Sequence, residues 1–148
     1  MRISAKGEYA IKAMLDLALH HAKGLIPIQD IAARQGIPQR YLEQVLLLLK
    51  RAGFLQSKRG SAGGYQLSRP PQDISVGAVL SAMEGSLERS GAGQRAGRRS
   101  ASDHARDLED LWSEISAAVA GVVDRVSFAD LCGRVEQRRS AARPMYHI

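Results

Sequence analysis

The sequence has a single cysteine and no long apolar run, and these scarcities exclude whole classes of protein. Cys132 is the only cysteine among 148 residues, so the chain cannot form an internal disulfide. With four scattered histidines, it also has no cysteine-based metal site of standard spacing. No uninterrupted apolar run is long enough to cross a bilayer, and nothing at the start resembles a signal peptide. We therefore expect a cytoplasmic protein that does not associate with membranes.

The second half of the chain lacks lysine, and the positive charge is concentrated in the first half. Residues 1–70 contain 11 Lys and Arg against 4 Asp and Glu, a net charge of +7. Residues 71–148 contain 10 against 11, a net charge of −1. A concentrated positive surface suits duplex DNA, because neutralising its phosphates releases counterions. A basic surface without a nucleic-acid partner is the alternative that charge alone leaves open.

Three helices are predicted in the first third of the chain. Ser4 can cap a helix that continues to about His21, and a second helix is expected over residues 29–35, with Gly36 as its C-terminal turn. A third helix starts with Pro38, which suits a first helical turn. Its predicted buried face consists of Leu42, Val45, Leu46 and Leu49. Two short helices joined by a glycine turn are typical of a helix-turn-helix.

A glycine-rich hairpin is predicted directly after the third helix. Residues 54–58 and 65–68 have the pattern of strands, and the turn between them contains Gly60, Gly63 and Gly64, which permit positive φ and close backbone approach. A phosphate-binding loop is a poorer interpretation, because no Lys-Ser/Thr pair follows and the glycines open a strand. The hairpin therefore predicts the wing of a winged helix-turn-helix, with a charged tip that can enter a minor groove.

Helices are predicted again in the second half of the chain. Ser75 and Ser127 can each cap a helix, and a longer helix with a broad apolar seam is expected over residues 103–124. That seam can pair with a copy of itself. The predicted dimer-interface residues are Leu108, Leu111, Trp112, Ile115, Val119 and Val122. The fold class is thus mainly α with a small β-hairpin wing, a winged helix-turn-helix domain plus a long dimerisation helix.

The predicted domain organisation has four parts. These are a DNA-binding domain over 1–84, a flexible loop over 85–102, the dimerisation and C-terminal helices over 103–139, and a tail over 140–148.

Four segments of the chain resemble the Rrf2 family of winged-helix transcriptional regulators. They are MRISAKGEYA at 1–10, RYLEQ at 40–44, RGSAGGY at 59–65 and ISVGAV at 74–79. The resemblance implies a homodimer that binds a partly palindromic operator in double-stranded DNA, and it implies a regulator, which we expect to be a repressor and not an enzyme. The predicted DNA-binding residues are Lys6, Gln39, Arg40, Tyr41, Glu43, Gln44, Arg51, Lys58, Arg59, Gly60 and Ser61.

Two of these residues have competing interpretations. Glu43 is either a solvated residue paired with Arg40 or Lys50, or a groove-facing carboxylate that accepts a hydrogen bond from a cytosine amino group, and we favour the second. Tyr41 can combine a ring in the core with a hydroxyl that donates to phosphate.

The chain departs from the iron-sensing members of the family. Those members carry three closely spaced cysteines before the dimer helix, whereas residues 85–104 contain none. We therefore expect no iron–sulfur cluster and no other cofactor. In lacking these cysteines, the chain is similar to the cysteine-free CymR type. His104 is expected to be a surface residue and not a metal ligand, and Cys132 a buried residue and not a redox switch.

The C-terminal tail suggests a partner. Residues 144–148, with Tyr146, His147 and Ile148, resemble the peptide that serine acetyltransferase inserts into O-acetylserine sulfhydrylase (cysteine synthase). The resemblance implies control of cysteine metabolism through that enzyme, and an ordinary terminus is the alternative. Two other functions stay open, a winged-helix interaction module without specific DNA readout and a regulator that senses a small molecule or redox state directly.

Overall fold

The computed structural model describes residues 3–84 and 103–142. In these residues six α-helices and one β-hairpin are present, so the mainly α fold with a small wing is confirmed. The helices are α1 (Ala5–Leu19), α2 (Ile28–Gln35), α3 (Gln39–Arg51), α4 (Val76–Glu84), α5 (Asp103–Val123) and α6 (Phe128–Ala142). The strands are β1 (Leu55–Lys58) and β2 (Gly64–Leu67), and short 3-10 turns cover His21–Lys23 and Pro71–Asp73. The predicted loop 85–102 and the tail residues Tyr146, His147 and Ile148 lie outside the described residues, as does the side chain of His104.

The N-terminal helix starts at the predicted cap but ends before the predicted residue. Ser4 Oγ accepts a hydrogen bond from the Gly7 backbone N–H at 3.1 Å, as expected of an N-cap. The α-helix ends at Leu19 because the ring Nδ1 atoms of His20 and His21 lie 2.8 and 2.9 Å from carbonyl oxygens of its last turn. The chain then continues in a 3-10 turn.

A single apolar core lies around α1, which packs against α2, α3, α4 and α6. The predicted buried faces are confirmed: Leu42, Leu46 and Leu49 are fully buried, Val45 nearly so, and the core also contains Val76, Val79, Leu80 and Met83 of α4. Phe128, the first residue of α6, is completely buried in this same core, so α6 packs on the winged-helix part.

No helix in the described ranges has the combination of length and apolarity needed to cross a membrane.

Candidate DNA-binding interface

The turn between α2 and α3 sets the direction of α3. Gly36 adopts the left-handed conformation, with φ 63° and ψ 36°, a region that costs a residue with a side chain more than it costs glycine. The next residue, Ile37, is buried in the core and donates its N–H to the Ala32 carbonyl at 3.1 Å. Pro38 follows as the residue that caps α3, with an extended ψ of 125°, and not as part of the first turn as predicted. The turn is therefore anchored in the core while α3 begins at the surface.

The candidate DNA-reading residues of α3 lie together on its exposed side. The helix buries one face in the core, and its other side is open. The exposed residues include Gln39, Arg40, Tyr41, Glu43, Gln44 and Arg51. Glu43 makes no ion pair with Arg40 or Lys50 within 4 Å, so its carboxylate is available to a ligand on that surface. The pairing of Glu43 with Arg40 or Lys50 is thus not observed, and a groove-facing role for its carboxylate stays a prediction.

The Tyr41 ring lies at the surface and not in the core, where one interpretation of the sequence put it. Its side chain is 60% exposed, and its ring centroid lies 6.4 Å from that of Tyr9 in α1, with the two planes tilted by 48°. A tilted aromatic pair at this distance restrains both rings. Tyr9 was not predicted as part of the site, although it lies within the segment MRISAKGEYA, three residues after Lys6, which is exposed on the same helix.

The wing is a two-stranded antiparallel hairpin anchored to the loop before α2. Leu55 pairs with Leu67 and Lys58 with Gly64 at the two ends of the ladder. Ile26 and Tyr65 exchange two backbone hydrogen bonds of 2.8 Å, which add a third backbone segment beside β2. Gly64 allows this contact, because a Cβ there would overlap the Ile26 carbonyl. The Ile26 pairing could not be predicted from the sequence, since a single paired residue has no periodicity.

The wing tip presents its basic residues to solvent. The turn closes with the Gly63 N–H donating to the Gly60 carbonyl at 3.0 Å. The tip residues Lys58, Arg59, Gly60 and Ser61 are all exposed, as predicted for a DNA contact. At the base of the hairpin, the Arg69 guanidinium lies 5.6 Å from the Phe54 ring centroid and so keeps its charge beside the core.

The apolar seam of α5 is exposed along much of its length. Leu108, Leu111 and Trp112 are 45–49% exposed and Val122 is 61% exposed, while Ile115 and Val119 are partly covered. The spacing of these six residues puts them on one side of the helix. An uncovered apolar stripe of this length is typical of a protein interface.

These features define a winged helix-turn-helix protein of the DNA-binding, transcription-regulating class, and comparison with known proteins agrees. Residues 3–134 match the family described as "Rrf2: Iron-dependent Transcriptional regulator". The chain belongs to the Rrf2 family of transcriptional regulators.

Both curated sequences and solved structures are similar to the chain. It is 39% identical over 132 residues to the HTH-type transcriptional regulator IscR of Aliivibrio salmonicida, covering 88% of this chain and 77% of that protein. The structure of T. potens IscR matches with a TM-score of 0.79 at 34% identity, covering 99% of this chain and 97% of the other. CymR, the global cysteine regulator of B. subtilis, matches with a TM-score of 0.75 at 30% identity, covering 90% and 98%.

The family description mentions iron, but the residues of this chain do not fit a cysteine-ligated iron site. No group of three or more His, Cys, Asp or Glu residues within 3–84 and 103–142 is arranged to hold a metal. Cys132 is half-buried and not fully buried as expected, and this partial burial still raises the pKa of its thiol, which disfavours the thiolate needed for ligation. Residues 85–104, which precede or begin α5, contain no cysteine in the sequence.

Proposed function

We propose that the chain is a homodimeric transcriptional repressor that binds a specific DNA operator through α3 and the wing. The observation that carries this proposal is that every predicted contact residue is exposed, on α3, on the hairpin and, for Lys6, on α1. Its proposed contacts are Lys6, Gln39, Arg40, Tyr41, Glu43, Gln44, Arg51, Lys58, Arg59, Gly60 and Ser61. The concentration of positive charge in residues 1–70 supports a polyanionic ligand.

The residues at this surface divide into two proposed roles. Gln39, Arg40, Glu43 and Gln44 lie in the first two turns of α3, the part of a recognition helix that reaches base edges in the major groove. Lys58 and Arg59 lie at the tip of the wing, where a guanidinium can enter the narrower minor groove. Lys6, Tyr41 and Arg51 are proposed to contact phosphates, which fix the register of the protein on the duplex.

Dimerisation is proposed to occur through the apolar seam of α5. Two copies related by a two-fold axis would cover Leu108, Leu111, Trp112, Ile115, Val119 and Val122 of both chains. In this arrangement residues 1–84 form the DNA-binding domain and residues 103–139 carry the dimer interface. A cytoplasmic location follows for a regulator that must reach the chromosome.

Control of cysteine metabolism is a finer proposal that rests on sequence. The likeness to CymR, which is named as a global cysteine regulator, supports it, as does the absence of cysteine from residues 85–104. The identity to IscR proteins is higher, at 39%, so the overall sequence does not single out the CymR type. The proposed partner is O-acetylserine sulfhydrylase, held by Tyr146, His147 and Ile148. Inhibition of that enzyme by the full chain, and not by a version without Ile148, is the expected result; identical behaviour of the two versions would refute the partner.

Recovery of bound genomic fragments tests the main proposal. Purified protein is mixed with fragmented genomic DNA at physiological salt, and the retained fragments are sequenced. A shared, partly palindromic motif is expected, because a two-fold dimer presents two copies of α3. Fragments without a common motif would instead favour a winged-helix module that does not read sequence.

A further inference from the structure

The junction between α5 and α6 is fastened to the start of α4. Ser75 and Ser127 form an antiparallel bridge across 52 residues of sequence. On either side of it, the Val76 N–H donates to the Val126 carbonyl at 2.8 Å, and the Phe128 N–H donates to the Ile74 carbonyl at 3.0 Å. We call these six residues, Ile74, Ser75, Val76, Val126, Ser127 and Phe128, the corner. It connects the end of the proposed dimer helix directly to the winged-helix core.

Both serines of the corner also cap helices. Ser75 Oγ accepts from the Ala78 N–H at 3.0 Å at the start of α4. Ser127 Oγ accepts from the Asp130 N–H at 3.0 Å at the start of α6, and the Asp130 carboxylate accepts in return from the Ser127 N–H at 2.9 Å. These capping bonds make the junction stiff, and a change in the corner would disturb the starts of both helices at once.

Gly77 and Asp124 are packed against each other beside the corner. Gly77 is buried in the first turn of α4, and Asp124 is the residue directly after α5. A Cβ on Gly77 would overlap Asp124 Oδ1 and would lie 2.9 Å from the Asp124 backbone N. Because one of the obstructing atoms is backbone, no change of rotamer could make room for a side chain. Any substitution at Gly77 must move the end of α5 relative to α4.

The direction of α5 is coupled through this contact to the recognition helix. α4 packs against α1 and α3, so the corner joins α5 to the same body that carries the DNA-reading surface. The 21 residues of α5 extend about 30 Å. A tilt of about 10° at the corner therefore displaces the far end by about 5 Å, more than the base-pair step of about 3.4 Å.

We propose that Gly77 and Asp124 are positioning residues that set the distance between the two operator half-sites recognised by the dimer. The proposal rests on the proposed function, because it requires a dimer that reads two half-sites. Each recognition helix would contact its own half-site independently of these residues. Only their relative placement, and hence the preferred number of base pairs between half-sites, depends on the contact between Gly77 and Asp124.

The test compares DNA spacing preferences of the full chain and its variants. The operator recovered from genomic DNA is rebuilt with half-sites one and two base pairs closer and farther apart, and a duplex with a single half-site is included. Fluorescence anisotropy gives each affinity, and light scattering confirms the dimer. Gly77→Ala displaces the corner, whereas Asp124→Gly removes the side chain at the contact and loosens the end of α5. Gly133→Ala is the matched control, because a Cβ there meets nothing within 4 Å.

Gly77→Ala should lose about tenfold or more in affinity at the native spacing, or prefer a different spacing, while its affinity for the single half-site stays within about twofold. Asp124→Gly should reduce the difference in affinity between the native spacing and the altered spacings. If Gly77→Ala does not fold, this variant alone tests the inference. Wild-type spacing preference in both variants would overturn the inference. If the unaltered chain itself fails to distinguish the operator from scrambled DNA, the proposed function is refuted and the inference with it.

Discussion

Asp16 in α1 holds Arg34 in α2 through a two-point ion pair. Arg34 Nε donates to Asp16 Oδ1 and Arg34 Nη2 to Asp16 Oδ2, each at 2.9 Å, and Gln35 Nε2 adds a hydrogen bond of 3.2 Å to Oδ1. Asp16 is only 1% exposed, the one buried charged side chain in the described parts of the chain. The hydrogen bond to Asp16 raises the pKa of Arg34. The pair thereby fixes the first helix of the helix-turn-helix against the central helix of the core.

Arg34→Ala should lower the free energy of unfolding by about 3 kcal/mol, because it leaves the Asp16 carboxylate buried without its main partner. Lys12→Ala is the control. Lys12 pairs with Glu8 at 3.5 Å on the exposed side of α1, the helix that carries Asp16, and loss of this pair should lower the free energy of unfolding by less than about 0.5 kcal/mol. Urea denaturation measures both free energies of unfolding. A loss for Arg34→Ala as small as that for Lys12→Ala would show that the Asp16 pair is unimportant for stability.

The cap of α6 predicts a pH dependence. Hydrogen bonds from the Ser127 backbone N–H and hydroxyl lower the pKa of Asp130. A carboxylate with a lowered pKa in the folded state stabilises the fold above its ordinary pKa, and this contribution is lost as pH falls through the lowered value. An NMR titration should place the Asp130 pKa below the ordinary value for Asp, and Ser127→Ala should raise it. An Asp130 pKa that does not respond to Ser127→Ala would contradict the assigned cause.

Much of the fold could be predicted from the sequence because its signals are local. Ser4, Ser75 and Ser127 each precede an apolar periodic segment, and the structure confirms all three as caps. The α3 stripe and the hairpin likewise follow from spacing and glycine content. The exposure of Arg59 at a glycine-rich turn needed no tertiary information.

The features that sequence reasoning missed depend on contacts between distant residues. Asp16 lies among the buried residues of α1 and therefore needs a partner, but the sequence spacing does not identify Arg34 as that partner. The bridge between Ser75 and Ser127 joins two caps that were recognised separately. Tyr41 was ambiguous because its neighbour Tyr9 comes from another helix.

Glu43→Ala should broaden the base preference of the protein more than it weakens binding. A carboxylate facing the groove accepts from cytosine amino groups and disfavours other bases, so its removal eliminates a penalty as well as a contact. Binding selections from a randomised duplex library compare the two proteins. A selected motif identical to that of the unaltered chain would show that Glu43 does not read DNA.

Ile115→Asp should dissociate the dimer, because it puts an unpaired charge into the apolar seam of α5. Ala117→Asp is the matched control, since Ala117 is exposed and lies about half a turn away from the seam. Light scattering should give monomers for the first variant and dimers for the second. A dimeric Ile115→Asp protein would move the interface away from this seam.

The central claim, that α3 and the wing read a specific operator, is tested most directly by one titration. The recovered operator and a scrambled duplex of equal length are titrated with the unaltered chain and with Arg59→Ala at fixed salt. The unaltered chain should bind the operator at least about a thousandfold more tightly than the scrambled duplex. Arg59→Ala should lose about 1–3 kcal/mol on the operator, and Arg106→Ala, an exposed arginine on α5, should lose nothing. Equal affinity for the two duplexes, or operator binding unchanged by Arg59→Ala, would contradict the claim.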